Sequence, residues 1–369
     1  HRYLNTSMVI FGGQTSKAHK GLKEGRRIEL NDRDMEITEE RFSDNVEEVG
    51  AELDHGNTTM SHGKEYTAAN ISGVYPNDYI INKRDMIYGR FINKIDIRDR
   101  RKSIVISDDM AKELSPTGSV ADMLGQIVRM EDLAFHIVGI YQVDKSMMGT
   151  DAFIPFTTYR TIYNVGDKTG NIVFSFKGLE TEQQNEAFEQ RYRANLNGNH
   201  GAAPDDEEAV WIWNRFTQAM QMNTGMGMLR TALWIVGIFT LLSGIVGVSN
   251  IMLITVKERT HEFGIRKAIG ATPWSILRLI IIESIIITTF FGYIGMVLGI
   301  AANEYMNATI GNMKVDSGMF TTTMFVNPTV GLDVCINATL LMVVAGTIAG
   351  LIPARKAAHV RPIEALRAE

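Results

Sequence analysis

The sequence has few residues that could form cross-links or cofactor sites. Its 369 residues include a single cysteine, Cys335, so an internal disulfide is excluded and each folded part depends on its own packing. No G-x-x-x-x-G-K-[ST] phosphate-binding loop is present, which argues against ATP binding by this chain in that manner. His261-Glu262 lacks the second histidine of a zinc-protease motif, and no basic patch interleaved with aromatics indicates a nucleic-acid partner. We therefore predict no catalytic residue and no cofactor held by this chain.

Histidines and carboxylates are the remaining candidates for a metal site. His55 and His62 lie near Asp54, but histidines at this spacing in a polar stretch are more often simply solvated. The acidic run Asp205–Glu208 could bind calcium, although a charged loop tip is the more common reading of such a run. We predict no metal ligand.

Long apolar runs are abundant in the last third of the chain. Thr231–Val256 carries no formal charge, a second run extends from Leu279 to about Ala302, and a third covers Val334–Ile352. At about 1.5 Å rise per residue, each is long enough to cross a hydrocarbon core of about 30 Å. The runs predict helices at about 229–256, 273–304 and 334–358, all in contact with a lipid bilayer.

The charge balance divides the chain at the same place. Residues 1–228 hold 26 Lys and Arg against 34 Asp and Glu, a net charge of −8. Residues 229–369 hold 11 against 8, a net charge of +3, and the two parts sum to the −5 of the whole chain. An acidic soluble domain, 1–228, followed by a membrane domain, 229–369, accounts for both values.

Basic residues in the short connections set the expected orientation. The loop 257–278, between the first two apolar runs, carries Lys257, Arg259, Arg266, Lys267 and Arg278. The tail after Ile352 carries Arg355, Lys356, Arg361 and Arg367. The segment 303–333 has only Lys314 against three carboxylates, so the loop and tail are predicted to face the cytoplasm and 1–228 the outside. Because the opening HRYLNTSMVIFGG contains no apolar signal region, we expect a membrane helix to precede this domain.

The soluble part shows short strands and helices in irregular alternation, which favours an α+β domain of two lobes. Strands are predicted at Ser7–Phe11, Lys64–Val74, Ser103–Ile106, Gln126–Met130, Ala134–Val143, Asn171–Phe176 and Ala209–Trp213. Helices are predicted near Pro76–Ile81, from Ser107 or Asp108 to Leu114, over Thr181–Leu196, and from about Asn214 toward the membrane. Asn197–Glu208 is predicted to be a surface loop.

The loop between the first two apolar runs, KERTHEFGIRKAIGA, has the features of a short helix. Glu262 and Arg266 are four residues apart in the order that favours a helical ion pair. Gly270 suits a left-handed helix stop, and Thr272-Pro273 reads as an N-cap followed by proline at the first helical position. We predict a helix over 257–270 with a charged face beside Phe263.

Within the membrane domain, Glu283 is the residue of most interest. A carboxylate about one turn into a membrane helix is costly unless it is paired, so it indicates either a proton or substrate site or a structural hydrogen bond to a neighbouring segment. The second reading is favoured because the sequence shows no other ionisable group at that depth. Gly295 with Gly299, and Gly346 with Gly350, have the spacing that allows close helix packing.

These motifs together resemble a known family. KERTHEFGIRKAIGA followed by IIES is similar to the signature of MacB/FtsX-type ABC transporter permeases, and LIPARKAAHVRPIEALRAE, with Pro353, Arg355 and Pro362, is similar to the family's C-terminal motif. GVYPNDY, GRFINKIDIRDRRKSIVIS and FHIVGIYQV resemble its periplasmic core domain. The resemblance covers most of the chain.

The resemblance implies a porter-like lobe with an inserted second lobe, joined to four membrane helices of which this chain shows three. It implies a homodimer in the bacterial inner membrane, served by an ABC ATPase subunit or domain that binds ATP and Mg. The loop helix would be the coupling helix, with Glu258, Arg259, Glu262, Phe263, Gly264, Arg266, Lys267 and Gly270 contacting the ATPase.

The resemblance leaves three functions open. One is export by mechanotransmission, together with a periplasmic adaptor (membrane fusion) protein and an outer-membrane channel. The alternatives are lipoprotein release and regulation of a cell-wall hydrolase without transport.

Overall fold

The computed structural model describes residues 6–143, 151–309, 314–316, 321–323 and 331–359. The chain forms two compact units, His1–Thr224 and Gly225–Glu369. The boundary between them falls inside one helix, Arg215–Glu258, which is unbroken over 44 residues.

The first unit is an α+β domain, as the sequence predicts. Its described strands are β1 Ser7–Gly12, β2 Val46–His62, β3 Glu65–Val74, β4 Met86–Gly89, β5 Ser103–Ser107, β6 Ile127–Met130, β7 Leu133–Tyr141, β8 Asp151–Pro155, β9 Asn171–Phe176 and β10 Val210–Asn214. Its helices are α1 Asp32–Arg41, α2 Asp78–Ile81, α3 Lys94–Arg98, α4 Asp108–Leu114, α5 Phe156–Tyr163 and α6 Glu182–Asn199, with a 3₁₀ turn at Ala121–Met123.

The ten strands form one sheet in the order β10-β1-β9-β2-β3-β8-β5-β7-β4, with β6 pairing to β2 and β7. The pairs β3–β8 and β5–β7 are parallel, and the other pairs are antiparallel. The 17-residue strand β2 pairs with β9 through its first half and with β3 through its second half. Its register with β3 shifts between Asp54 and Asn57, where Gly56 has φ +83.

The two largest hydrophobic cores among the described residues lie on this sheet, which agrees with the two lobes expected from the sequence. One core packs α1 and α6 against β1, β9 and β10, and includes Tyr192, whose hydroxyl hydrogen-bonds to the buried Thr38 hydroxyl at 2.8 Å. The other packs α4 and α5 against β3 and β5 to β8. Strand β2 contributes Val46 to the first core and Leu53 and Met60 to the second, so it joins the two lobes.

The predicted strands of the first unit are confirmed, but some elements were not predicted and one boundary is wrong. Strands β2, β4 and β8 and helices α1, α3 and α5 were not predicted, although Asn31 and Asp34 form a capping box at the start of α1. The expected surface loop from Asn197 is wrong at its start, because α6 continues to Asn199 and the Asn197 side chain is buried. Asp206, also buried, accepts hydrogen bonds from Ser16 and from the backbone N–H of Glu208, so it organises this loop.

The second unit consists of helices that the sequence places in a membrane. They are α7 Arg215–Glu258, which begins in the first unit, α8 Thr260–Ala268, α9 Pro273–Thr309 and α10 Leu332–Ala358. Two short strands, β11 Lys314–Asp316 and β12 Thr321–Thr323, pair antiparallel between α9 and α10. Helices α7, α9 and α10 are each long and apolar enough to cross a bilayer.

A group of charges lies within the first unit beside β2. Glu52 on β2 is close to Asp78 of α2 and Asp151 of β8, and Arg84 donates a hydrogen bond to Asp78 at 3.2 Å. Burial, together with the carboxylates of Asp78 and Asp151, raises the pKa of Glu52 to about 7, while Arg84 opposes the rise. Glu52 therefore binds a proton more tightly in the folded protein than in the unfolded chain.

This linkage predicts a pH-dependent stability. The pKa of Glu52 in the folded protein lies above the ordinary value of 4.5. Protonation of Glu52 therefore stabilises the fold fully below pH 4.5, and this stabilisation is lost as the pH rises through about 7. Glu52→Gln should raise the unfolding free energy of the first unit at about pH 8 by about 3 kcal/mol and flatten its dependence on pH. Thermal unfolding of the full chain at several pH values measures this. The exposed Glu65→Gln is the control, and an unchanged pH profile in Glu52→Gln would contradict the account.

Candidate functional site

The candidate site is the segment 257–271, which contains the last two residues of α7, all of α8 and the start of the turn to α9. Only Arg259 separates the end of α7 from the start of α8. Gly270 has φ +107, a left-handed conformation that is strained for other residues, and α8 stops just before it. The backbone N–H of Ser275 donates to Thr272 Oγ1 at 3.3 Å, so Thr272 caps α9 and Pro273 is its first residue. Local chain chemistry therefore defines the end of α8 and the start of α9.

Phe263 anchors α8 to the three long helices. Its side chain is 1% exposed and belongs to a cluster with residues of α7, α9 and α10. The members of this cluster are Met252, Val256, Phe263, Ile276, Ile280, Ala354 and Ala357. Gly264 is buried beside it. Phe263 and Gly264 therefore face the interior of the second unit. Their contact with an ATPase stays a prediction.

Arg259 is the centre of a charge network on the other side of Phe263. Its Nε donates to Glu262 Oε2 at 3.0 Å, and its Nη1 donates to Glu283 Oε2 at 3.1 Å and to Oε1 at 3.4 Å. Arg266 Nη2 donates to the other oxygen of Glu262 at 2.8 Å. The guanidinium carbon of Arg259 also lies 5.4 Å from the centre of the Phe263 ring. The network thus contains two cations and two carboxylates, and their formal charges cancel.

The network gives Glu283 an ionic partner that the sequence did not reveal. The sequence shows no other ionisable group at the depth of Glu283, and its partner Arg259 reaches it from the loop. The structural reading of Glu283, a hydrogen bond to a neighbouring segment, matches this contact. The two residues are 24 positions apart, so spacing alone could not pair them.

The charges of the network outside the long helices are held in their ionised forms. The hydrogen bond from Arg259, aided by the charges of Arg259 and Arg266, lowers the pKa of Glu262 below its ordinary value against the opposing effect of burial. The hydrogen bond to Glu262 likewise raises the pKa of Arg259. Groups fixed in one protonation state near neutral pH are suited to positioning and poorly suited to proton transfer.

The outward face of the segment combines charged and apolar side chains. Ile269 is 81% exposed and Trp274 is 71% exposed, and Ile265 is also exposed. Glu258 and Arg266 are exposed on the same segment. We call Ile265, Arg266, Ile269 and Trp274 the outward face. Sequence reasoning did not assign Ile265 and Trp274 to the site. The signal was present in the four-residue spacing of Ile265 and Ile269, which is the spacing of one helix face.

The C-terminal motif meets the same segment. Lys267 Nζ donates to the carbonyl oxygen of Ala358 at the end of α10. Pro353 is buried inside α10, and Arg355 is exposed one half-turn later. Pro362 lies outside the described residues. The C-terminal motif thus contributes residues of α10 to the cluster around Phe263.

The glycine pairs differ in their surroundings. A Cβ on Gly346 would lie 2.9 Å from Ile285 Cα, and one on Gly350 would lie 2.8 Å from Ser284 Cβ, so both permit close contact of α10 with α9. Ser284 Oγ donates to the Gly346 carbonyl at 2.8 Å, which adds a hydrogen bond between the two helices. At Gly295 and Gly299 a Cβ would meet no heavy atom within 4 Å among the described residues.

The anchoring role of Phe263 predicts a selective loss of stability. Phe263→Ala removes a fully buried ring and should destabilise the second unit by about 3–5 kcal/mol. We expect tryptic cleavage after Arg266 and Lys267 to accelerate, because α8 would detach from the long helices. Ile269→Ala is the matched control, since the same helix loses only an exposed side chain. Equal protease resistance of the two variants would contradict the assignment.

Comparison with known proteins bears on both units. The model of the MacB-like periplasmic core domain matches residues 3–193, and that of the FtsX-like permease C-terminal domain matches residues 234–362. A relative described as an uncharacterized ABC transporter permease, YknZ of Bacillus subtilis, is 30% identical over 312 residues, covering 83% of this chain and 72% of the relative. The macrolide export ATP-binding/permease protein MacB of Acinetobacter baylyi is 28% identical over 319 residues, covering 84% of this chain and 44% of that protein.

Two solved structures are also similar to this chain. The periplasmic region of MacB from Actinobacillus actinomycetemcomitans has a TM-score of 0.47 at 16% identity, covering 60% of this chain and 95% of that one. The extracellular domain of YknZ from Gram-positive bacteria has a TM-score of 0.45 at 20% identity, covering 56% of this chain and all of that one.

The chain spans about half the length of the MacB relatives that it matches. The MacB-like domain model covers more than half of the chain, and the FtsX-like model covers the site and the long helices. This chain therefore belongs to the MacB/FtsX-type family of ABC transporter permeases.

Proposed function

We propose that this chain is the permease subunit of an exporter and transmits movement from a cytoplasmic ATPase to its extracytoplasmic domain. The observation that carries this proposal is the continuity of α7. One unbroken helix begins at Arg215 in the first unit and ends at Glu258, one residue before α8. A helix of this length is a stiff element, so a displacement at one end is passed to the other.

The N-terminal end of α7 makes polar contacts with the first unit. Arg215 Nη1 donates to Asn82 Oδ1 at 2.7 Å and to Ser7 Oγ at 3.3 Å, next to the start of β1. The Arg215 guanidinium also lies 5.3 Å from the Trp213 ring. These contacts support a role for Arg215 in passing helix movement to the sheet.

The outward face supports docking on an ATPase subunit or domain. Exposed Trp and Ile side chains beside a basic residue are the kind of group that anchors an interface when it enters a pocket on a partner. In this proposal the partner binds ATP and Mg, and α8 only receives its movement. The long helices carry no continuous file of polar residues in their described parts, which supports transmission over passage through this bilayer segment.

The assembly proposed is a homodimer in the bacterial inner membrane with two ATPase domains, a periplasmic adaptor protein and an outer-membrane channel. Export is preferred over lipoprotein release or control of a hydrolase because several relatives are macrolide export proteins by name. A MacB-like domain, matched over residues 3–193, supports the same choice.

The docking role predicts that the outward face determines ATPase binding. The double substitution Ile269→Ala and Trp274→Ala should weaken binding of the ATPase by at least about 30-fold, because each residue would fill a pocket on the partner. Binding of purified ATPase to the detergent-solubilised permease measures the change. Ile286→Ala, an equally apolar and exposed change on α9, is the control. Unchanged affinity of the double variant would exclude this face as the docking surface.

The orientation predicts a labelling pattern in intact cells. With Cys335 replaced by alanine, a cysteine at Tyr66, which is 74% exposed in the first unit, should react with a membrane-impermeant maleimide added outside. A cysteine at Ile269 should react only after the membrane is opened. Outside labelling at Ile269 but not at Tyr66 would reverse the topology.

A further inference from the structure

Arg259 occupies a position where the chain can bend. It is the only residue between α7 and α8, with φ −96 and ψ 11, and it makes no side-chain cap at the start of α8. A one-residue link leaves the angle between the two helices dependent on contacts made by side chains. Phe263 supplies the apolar contact, and Arg259 supplies the polar one.

Different nitrogen atoms of the Arg259 guanidinium serve the two carboxylates. Nε donates to Glu262, on α8, while Nη1 donates to Glu283, on α9. Because the guanidinium is planar and rigid, both contacts hold together only when α8 has one orientation relative to α9. The compact ammonium of a lysine could not reproduce this geometry.

Glu283 lies where a movement of α9 would be passed on. It is ten residues beyond Pro273, or about 15 Å along the helix axis. The adjacent Ser284 donates to the Gly346 carbonyl and so ties α9 to α10 at the same level. A force applied at Glu283 therefore acts beside the point where these two helices are joined.

The exposure of the pair suits a contact that can open and close. The side chains of Arg259 and Glu283 are 32% and 35% exposed, so the pair is only partly screened by solvent. A carboxylate on a membrane helix is costly when unpaired, which favours re-formation of the contact after each opening. Arg266, by contrast, contacts Glu262 alone in this network and is more exposed.

We propose that the Arg259–Glu283 ion pair is a latch that positions α8 on α9, so that movement of α8 is transmitted to the long helices. This inference rests on the proposed function, because it names the contact through which a docked ATPase would act. Arg259 and Glu283 are positioning residues. They fix the orientation of the short helix, while the outward face binds the partner.

The test uses the full chain with its ATPase in lipid nanodiscs and follows movement of α7. In a Cys335→Ala background, Met226→Cys places a cysteine on a residue that is 59% exposed. Its labelling rate by a fluorescent maleimide is compared with and without ATP plus vanadate. ATPase binding is measured on the same samples.

Glu283→Gln and Arg259→Gln should each reduce the ATP-dependent change in labelling rate at least about fivefold, while the ATPase still binds. Arg278→Gln, at an exposed arginine of α9 outside both the charge network and the outward face, is the matched control and should keep the change. The charge exchange Arg259→Glu with Glu283→Arg, made together with Glu262→Gln to avoid repulsion at position 259, should restore most of it. A merely structural role for either residue predicts no such rescue.

Three outcomes would overturn the latch. An unchanged ATP response in Glu283→Gln and Arg259→Gln would overturn it and leave the proposed function intact. If both single variants lose their fold, a folded charge exchange that fails to respond to ATP would also overturn it. No ATP response in the unaltered protein with its ATPase bound would overturn the latch and the proposed function together.

Discussion

Burial of Phe263 is the interaction on which the arrangement of the second unit depends. Its ring fills the space where α7, α9 and α10 meet, and this fixes which side of α8 faces inward. With that side fixed, Ile265 and Ile269 face outward and Arg259 is placed over the ring. The charge network then sets the remaining freedom of the helix. Apolar packing thus supplies the stability, and polar contacts supply the orientation.

Local chemistry made several parts of this structure predictable from the sequence. Gly270, Thr272 and Pro273 mark the end of one helix and the start of the next, because their backbone preferences depend on few neighbours. The three apolar runs were clear for the same reason, since the bilayer imposes their length. Strand β2 was missed because glycine and polar residues at its bulge interrupt the alternation that identifies a strand.

The features that escaped sequence reasoning depend on distant segments. The inward position of Phe263 is set by residues from α7, α9 and α10, which no local pattern brings together. The pairing of Arg259 with Glu283 joins two elements across a turn, so the loop charge and the membrane charge were each assigned separate roles. Family resemblance singled out the segment 257–271 as a whole, but only the packing separates its anchoring residues from its exposed ones.

The central claim is that α7 carries movement between the two units as a stiff rod. Hydrogen exchange at β1 and at Asn82, measured in the complete complex with and without ATP plus vanadate, tests it most directly. The account predicts that ATP changes exchange at these amides and that inserting two glycines after Met228 abolishes the change while ATPase binding persists. An ATP-dependent change that survives the insertion would contradict transmission through this helix.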